Sequence, residues 1–453
     1  MPVLADAWPE YKPALVIRDP VQGDIELTAI EKEILDTREM QRLRGIKQTG
    51  TAYLVFPGAL HTRFDHSLGV LATASAIMTA LHRSGAAISA DDWQLVRLAA
   101  LLHDVSHLPF GHTIEDERAI FPRHDRPARV AYFLQNGGIG KVLERSGWLQ
   151  AVLRLLAGGK SQEGEQARDW RRDIIAGAVD ADLLDYLRRD AYFCGLRHDY
   201  DDRVLSYFRL ATADGQPGLE RPVLALSLSQ GGLLRPDARS EILHLLRLRY
   251  FLSERVYYHH TKIAAGAMIA RAVEIAVENG TREQDLYDLN DYTLFRYLRL
   301  GTRAGEGDPR VAELIRAVEE RRLYKRAYVV DAAEVSPPLR RRLSAELSCR
   351  AGRLAAEKAV AEAAGVKPEQ VIIYCPAASA FKEIDMPVIT AAGLRILSQT
   401  EPRDGPGEVA TLARQYEELW RLYVFTWPEN IQPVHDAAAE YFGLRSTYQP
   451  KTT

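Results

Sequence analysis

Cysteine is scarce in this 453-residue chain: Cys194, Cys349 and Cys375 are the only three, and they lie far apart. That scarcity excludes a disulfide framework and a cysteine-based zinc site, and it fits a reducing compartment. No run reaches the roughly 18 apolar residues of a membrane span. The opening MPVLADAWPEYKP has no basic stretch followed by an apolar one, so no secretory leader is expected and the expected location is cytoplasmic. An excess of charge of one sign is also missing. The formal net charge of −3 gives no general attraction to nucleic acid, so a nucleic-acid partner is not favoured. No repeat of roughly 20–50 residues is visible, which removes the solenoids.

What is present is an ordinary globular composition, 47% apolar and 26% charged, with enough apolar material for a sizeable core. Apolar periodicity predicts helices over 30–48, 63–82, 91–104, 174–191 and 240–272. Thr28 is a candidate N-cap for the first, and Pro109 bars continuation of the third. β-type runs occur at 15–17, 223–228, 371–374, 386–390 and 422–426. Gly, Pro and charge mark loops at 158–165, 214–218, 301–309 and 401–408. With the boundary placed at 301–309, the expected fold is mostly α: a helical catalytic core at 1–300 followed by a smaller α+β region at 310–453.

The residues suited to chemistry are concentrated. LLHDVSHLPFGH carries His103, Asp104, His107 and His112 in one stretch, with His124 just beyond. A helix that ends on adjacent His and Asp can aim both into one cleft, and imidazole with carboxylate suits Zn, Fe, Mn or, with fewer nitrogens, Mg. Any one of these histidines alone reads equally well as a cap or a surface residue; the group points to a site. HTRFDHSLGV places Arg63 and His66 on one helix face. DADLLDYLRRD sets Asp182, Tyr186 and Asp190 in a polar stripe, with Leu183, Leu184 and Leu187 on the apolar face. An exposed amphipathic helix would carry the same pattern.

The order His66, His103-Asp104, Asp182 resembles the H…HD…D signature of the HD superfamily. Its flanks, VIRDPVQGDIEL, DTREMQRLRGIKQTG, FPGALHTRFDHSLGV, LLHDVSHLPFGH and DYLRRDAYFCG, are similar to the deoxynucleoside triphosphate triphosphohydrolases. The likeness runs in order from Leu15 to Lys262, with a weaker echo at RRLYKRAYVV. The resemblance implies an HD-type helical core at 1–300, a divalent metal (Fe, Mn, Mg or Zn), a dNTP substrate and a homo-oligomer, dimer or tetramer. It implies that His66, His103, Asp104 and Asp182 are the metal ligands and that Arg63 touches the α-phosphate. His107, His112 and His124 would surround the phosphates, with His112 as proton donor to the leaving 5′-oxygen, Glu115 orienting it and Asp125 following the third histidine. Gln48 and Asp190 would hold the sugar 3′-hydroxyl. Tyr186 would contact phosphate and sugar, Arg249 would bind phosphate, and Tyr257, or Tyr258 in a shifted register, would lie under the deoxyribose. Asp36, Gln41 and Arg44 stand where a guanine-nucleotide activator binds in the mammalian relatives, and the same block could equally be structural.

One position departs from the mammalian pattern: Leu183 replaces a phosphate-contacting lysine, which weakens the grip on a full triphosphate unless Lys262 or Lys325 compensates. Independently of the resemblance, phosphate-ester hydrolysis needs charge neutralisation and activated water, both of which a metal supplies. Arginine suits bidentate phosphate contact, and a histidine suits protonation of an alkoxide. Two further readings stay open. One is an HD phosphomonoesterase or phosphodiesterase acting on another nucleotide. The other is a nucleotide-sensing or single-stranded nucleic-acid-binding protein with little turnover.

Overall fold

A computed structural model describes residues 12–158, 169–212, 221–301, 307–377, 382–400 and 407–449. The expected loop at 214–218, and most of those at 158–165, 301–309 and 401–408, lie outside the described residues.

The chain enters through a hairpin, β1 (Leu15–Asp19) and β2 (Gly23–Leu27), paired antiparallel. Three long helices then frame the first half: α1 (Arg63–Arg83), α2 (Ala90–Leu102) and α3 (Ala181–Phe193). Thr62 and Ser89 begin the first two with reciprocal capping boxes to Asp65 and Asp92, and Asp180 caps the third by accepting from Leu183 N. Among the described residues only α1 is long and apolar enough to cross a membrane, and 78% of its most apolar window is buried inside the protein. It is the central core helix, packed by α2 on one side and α3 on another.

Three predicted helices are interrupted, each for a local reason. The segment 30–48 breaks after Leu35, because Asp36 ends one helix and the Thr37 side chain caps a new one, accepting from Met40 N. The segment 174–191 breaks at Gly177, whose extended backbone precedes the Asp180 cap. The segment 240–272 divides into α4 (Pro236–Leu252) and α5 (His260–Glu278), joined through a widened turn at Ser253–Tyr257. Widened turns of this kind re-aim side chains.

Seven further strands make two sheets: β3 (Phe208–Ala211), β4 (Val223–Ser227), β5 (Lys325–Asp331), β6 (Ile372–Tyr374), β7 (Pro387–Thr390), β8 (Gly393–Ile396) and β9 (Arg421–Thr426). One sheet has the order β8-β7-β4-β3, with β4 and β7 parallel, and so joins strands from both sides of 301–309. The other, β5-β9-β6, is antiparallel and lies wholly in the C-terminal region. A mostly helical core with a smaller sheet-containing C-terminal region is what the periodicities and runs predict. The main apolar cluster also crosses 301–309, taking in Val311, Leu314, Ile315 and Phe425, while a smaller cluster around Tyr328, Val360 and Val424 belongs to the C-terminal region.

A buried ionic network ties the two regions. Arg118 donates to Glu274 Oε2 at 2.6 Å on α5 and to Glu357 Oε1 at 2.8 Å on α6 (Arg350–Ala364). Arg353 donates to the Arg118 carbonyl at 2.8 Å and to Glu274 Oε1 at 3.1 Å. Arg118, Glu274, Arg353 and Glu357 are all buried. Deleting one member of such a set strands the opposite charge, which costs about 3–5 kcal/mol. Arg118→Ala is therefore expected to lower the melting temperature sharply, whereas exposed Arg18→Ala, which loses only a surface pair, should leave it nearly unchanged; parallel thermal melts check this.

Candidate active site

The residues singled out in the sequence converge where α1, α2 and α3 meet. α1 supplies Arg63 and His66 from its first turns. His103 caps the end of α2 and Asp104 follows it, and Asp182 sits in the first turn of α3. His66 Nε2 lies 2.9 Å from Asp182 Oδ1 and 3.8 Å from Asp104 Oδ2. His103 Nε2 lies 3.5 Å from Asp104 Oδ1 and 4.0 Å from Asp182 Oδ1.

Both imidazoles are oriented from behind. His66 Nδ1 donates to Asp185 Oδ2 at 2.9 Å, and His103 Nδ1 donates to the Ala100 carbonyl at 2.8 Å. A carbonyl can only accept, so Nδ1 carries a proton, and in the neutral ring Nε2 presents a lone pair. That Nε2 is buried and has no hydrogen-bond partner. Burial works against charge on His66, but hydrogen bonds to Asp182 and Asp185 overcome it and raise its pKa to about 10. Two carboxylates converging on one imidazole, beside an orphaned imidazole lone pair, suit a cation: the donor set of two nitrogens and two carboxylates fits a divalent metal.

Asp185 was not singled out by periodicity, yet it anchors the ring. Arg189, one turn on, donates to both Asp185 oxygens, at 2.7 and 3.0 Å, and to Asp19 at 2.8 Å. Gln22 donates to Asp185 Oδ1 at 2.8 Å. The first hairpin thus braces the site. Gly69 makes room for the Asp185–Arg189 pair, since a Cβ there would lie 2.0 Å from Asp185 Oδ1. The D-x-x-x-R spacing beneath an apolar stripe was the available signal.

Beyond Asp104 the chain turns sharply through Phe110 and Gly111, both at positive φ (58° and 46°). A Cβ on Gly111 would lie 2.7 Å from Arg63 Nη2, so the close pass requires glycine. Asp291 steadies the turn by accepting from Phe110 N at 2.7 Å. Arg63 donates to Asp104 Oδ2 at 2.6 Å, while its Nε is buried without a partner. His107 lies 3.2 Å from Asp104 and stacks on His124 at 3.5 Å between centroids. Burial, with Arg63 close by, holds the His107 pKa well below its ordinary value. The rings of His112, His107 and His124 stand within 5.5 Å of one another.

One expected pairing is corrected. The Glu115 hydrogen bonds go to His124, whose Nδ1 and backbone N both donate at 3.0 Å, and to Arg129. His112 Nδ1 donates instead to Asp116 Oδ2, at 2.8 Å. The widened helical turn at Thr113–Glu117 sets these two carboxylates against different rings. Burial opposes charge on Asp116, but its bond from His112 and the Arg123 guanidinium bring its pKa down to about 2. Asp125 is exposed and faces Arg123 at 3.6 Å, away from the histidines.

A second pocket of polar groups lies further along α3. Asp190 accepts from Tyr257 Oη at 2.6 Å and from His61 Nε2 at 2.7 Å. That pairing uses Tyr257, not Tyr258. Gln48 Oε1 is buried and has no hydrogen-bond partner. Tyr186 receives a hydrogen bond from Arg249 at 3.2 Å, and Arg249 is ion-paired with buried Glu383 from the C-terminal region. Leu183 is buried, Lys262 pairs with Glu117 at 3.0 Å, and Lys325 is exposed at the start of β5. Asp36, Gln41 and Arg44 are exposed; Arg44 donates to Gln41 at 2.9 Å and lies over the Phe64 ring.

Residues 63–190 match the HD domain family, and residues 242–453 match the HD associated region. The chain is 32% identical over 328 residues to an uncharacterized protein of Methanocaldococcus jannaschii, covering 71% of this chain and 61% of that one. It is 28% and 27% identical to the deoxynucleoside triphosphate triphosphohydrolase SAMHD1 of Xenopus laevis and of Homo sapiens, over 68% of this chain and 55% and 54% of those proteins. The chain thus spans about half to three-fifths of these relatives' length. A phosphohydrolase from Bacteroides thetaiotaomicron superposes with TM-score 0.65 over 91% of this chain and 99% of its own, at 20% identity, which shows a shared fold.

The bracing carboxylate yields a test. Removing a group that orients a metal-binding histidine typically costs about 10–100-fold in metal affinity. Asp185→Asn is expected to weaken Mn²⁺ binding by that factor in a chelator competition.

Proposed function

The chain belongs to the HD-domain superfamily, and from that premise we propose that it is a metal-dependent phosphohydrolase that cleaves deoxynucleoside triphosphates at the α-phosphorus. The observation that carries this reading is the convergence of His66, His103, Asp104 and Asp182, with Arg63 against Asp104 and His107 on its other oxygen. These four residues would hold a divalent ion, which when bound supplies Lewis-acid polarisation of a phosphoryl oxygen and an acidified water. Arg63, with Nε unpaired, offers a guanidinium edge to the same phosphate. His112, half exposed and fixed through Nδ1 by Asp116, presents Nε2 to protonate the departing 5′-oxygen. His107 and His124 would line the phosphates. Asp190, Gln48 and Tyr257 would hold the sugar, and the place of Asp190 about two turns along α3 from Asp182 favours attack next to the nucleoside. The expected products are deoxynucleoside and tripolyphosphate. As in the family resemblance, a homo-oligomer is part of this reading, with residues 310–453 serving assembly or regulation.

A second reading keeps the chemistry and shortens the phosphate tail. Leu183 offers no charge, Arg249 is ion-paired with Glu383, and Lys262 with Glu117. Cations already matched by carboxylates grip a polyanion weakly, which favours a nucleoside monophosphate or phosphodiester.

Product analysis separates the two. With the metal-loaded protein, tripolyphosphate and deoxynucleoside are expected from dNTPs; orthophosphate with dNDP as first products would refute attack at the α-phosphorus. Hydrolysis of dNMPs alone would establish the second reading. His112→Ala should keep its metal and bind dNTP yet lose about 10²–10⁴ in kcat, the usual worth of a general acid.

A further inference from the structure

His61 has no role in the chemistry set out above, and the comparisons assign it none. It is among the most enclosed polar residues of the molecule, 2% exposed. Its ring stacks on Phe193 at 4.6 Å between centroids, 21° from parallel. Its carbonyl accepts from Gln48 N at 3.1 Å, beside the isolated bridge between Lys47 and Thr62. The loop before it is drawn tight against α3: a Cβ on Gly58 would lie 2.6 Å from the Phe193 carbonyl oxygen. The backbone therefore holds His61 and Gln48 together at one end of α3, and Phe193 fixes the plane of the imidazole.

That ring does one visible thing. Nε2 donates to Asp190 Oδ1 at 2.7 Å, while Tyr257 Oη donates to Oδ2 at 2.6 Å. Two rigid ring donors, one per oxygen, pin the carboxylate plane. Each carboxylate oxygen has a second lone pair, so Asp190 keeps the capacity to accept from a ligand. Gln48, whose backbone N donates to the His61 carbonyl, has a buried Oε1 without a hydrogen-bond partner, and so does His61 at Nδ1. Gln48 Oε1 is an acceptor, and so is Nδ1 in the neutral ring that gives its Nε2 proton to Asp190. Enclosed acceptors left unmatched mark a place where a donor belongs.

We propose that His61 is a positioning residue for sugar recognition: it fixes Asp190 so that this carboxylate accepts a hydroxyl proton from the 3′ side of a deoxyribose, and it makes the site discriminate 3′-hydroxyl from 3′-deoxy nucleotides. This rests on Asp190 and Gln48 being the sugar-binding residues of the proposed hydrolase. A purely structural role for His61 would lower every activity together. A positioning role lowers only those that use the sugar.

The experiment compares the metal-loaded wild type with His61→Ala and His61→Gln on three substrates: a dNTP, the matching 2′,3′-dideoxy compound, and bis-p-nitrophenyl phosphate, which has no sugar. Metal content per chain is measured alongside. The wild type should prefer the 3′-hydroxyl compound by at least tenfold in kcat/KM. In His61→Ala that preference should collapse towards unity, mainly through KM, with metal content and cleavage of the sugarless ester unchanged; His61→Gln, which keeps an N–H donor, should recover part of it. An intact preference in soluble, metal-bound His61→Ala overturns the proposal. So does a wild type that cleaves both nucleotides equally. Should His61→Ala fail to fold, the wild-type preference and His61→Gln carry the test, and a His61→Gln protein that loses sugar-dependent and sugarless activity in equal measure also overturns it. Cleavage of the sugarless ester with no nucleotide cleaved at all would instead remove the nucleotide-substrate reading on which the proposal stands.

Discussion

The site depends on one interaction: the His66 imidazole held between two carboxylates of α3. Asp185 accepts from Nδ1 at 2.9 Å, and Asp182 stands 2.9 Å from Nε2, the nitrogen that a bound ion would take. The arrangement places negative charge in a buried setting, which is unfavourable unless it is matched. It is matched in layers. Arg189 lies against Asp185, Asp19 lies against Arg189, and Gln22 fills a remaining site on Asp185. The chain of charges runs from the first hairpin through α3 to α1, three segments far apart in sequence. Removing any link leaves its neighbour unmatched at low dielectric, which ties the candidate metal-binding residues to the fold's entry hairpin.

A similar logic governs the segment after Asp104. Phe110 and Gly111 hold positive φ, and Ala119 does so again, bracketing the stretch that carries His112, Glu115 and Asp116. The two non-glycine positions, Phe110 and Ala119, cost free energy unless the surroundings fix them. Asp291 accepts from Phe110 N at one end, and at the other the Arg118 carbonyl is held by Arg353 of the C-terminal region. The C-terminal region supplies none of the four candidate metal ligands, yet through Arg353 it braces the segment that carries the histidines. Glu383 against Arg249 is a second point at which it reaches the candidate pocket.

How much of this was legible in the sequence follows from where each signal resides. The long buried helices were readable because their apolar positions are dense, and the His-Asp pair was readable because it closes one of them. Helix interruptions at Thr37, Gly177 and Ser253 were missed: a cap inside a periodic pattern does not disturb the pattern, and only tertiary contacts decide whether the chain bends there. The exchange of partners between Glu115 and Asp116 was likewise invisible, because neighbouring carboxylates are told apart only by the widened turn at Thr113–Glu117. Asp185, Arg189 and His61 went unremarked because polar residues buried behind a site look, in one dimension, like the solvent face of an amphipathic helix.

α3 resolves that ambiguity. Its polar residues fall into two interleaved sets. Asp182, Tyr186 and Asp190 follow one line, spaced four apart, and reach the candidate metal centre, the Arg249 contact and the His61–Tyr257 pocket in turn. Asp185 and Arg189 follow an adjacent line and make buried bonds to each other, to the first hairpin and to the back of the His66 ring. At a rise of about 1.5 Å per residue, the first line extends about 12 Å. A helix backed by its own ion pair is a rigid ruler over that distance. The separation between Asp182 at the candidate metal centre and Asp190 is therefore set by helix geometry, not by loop conformation, and a ligand has to match that spacing to engage both at once.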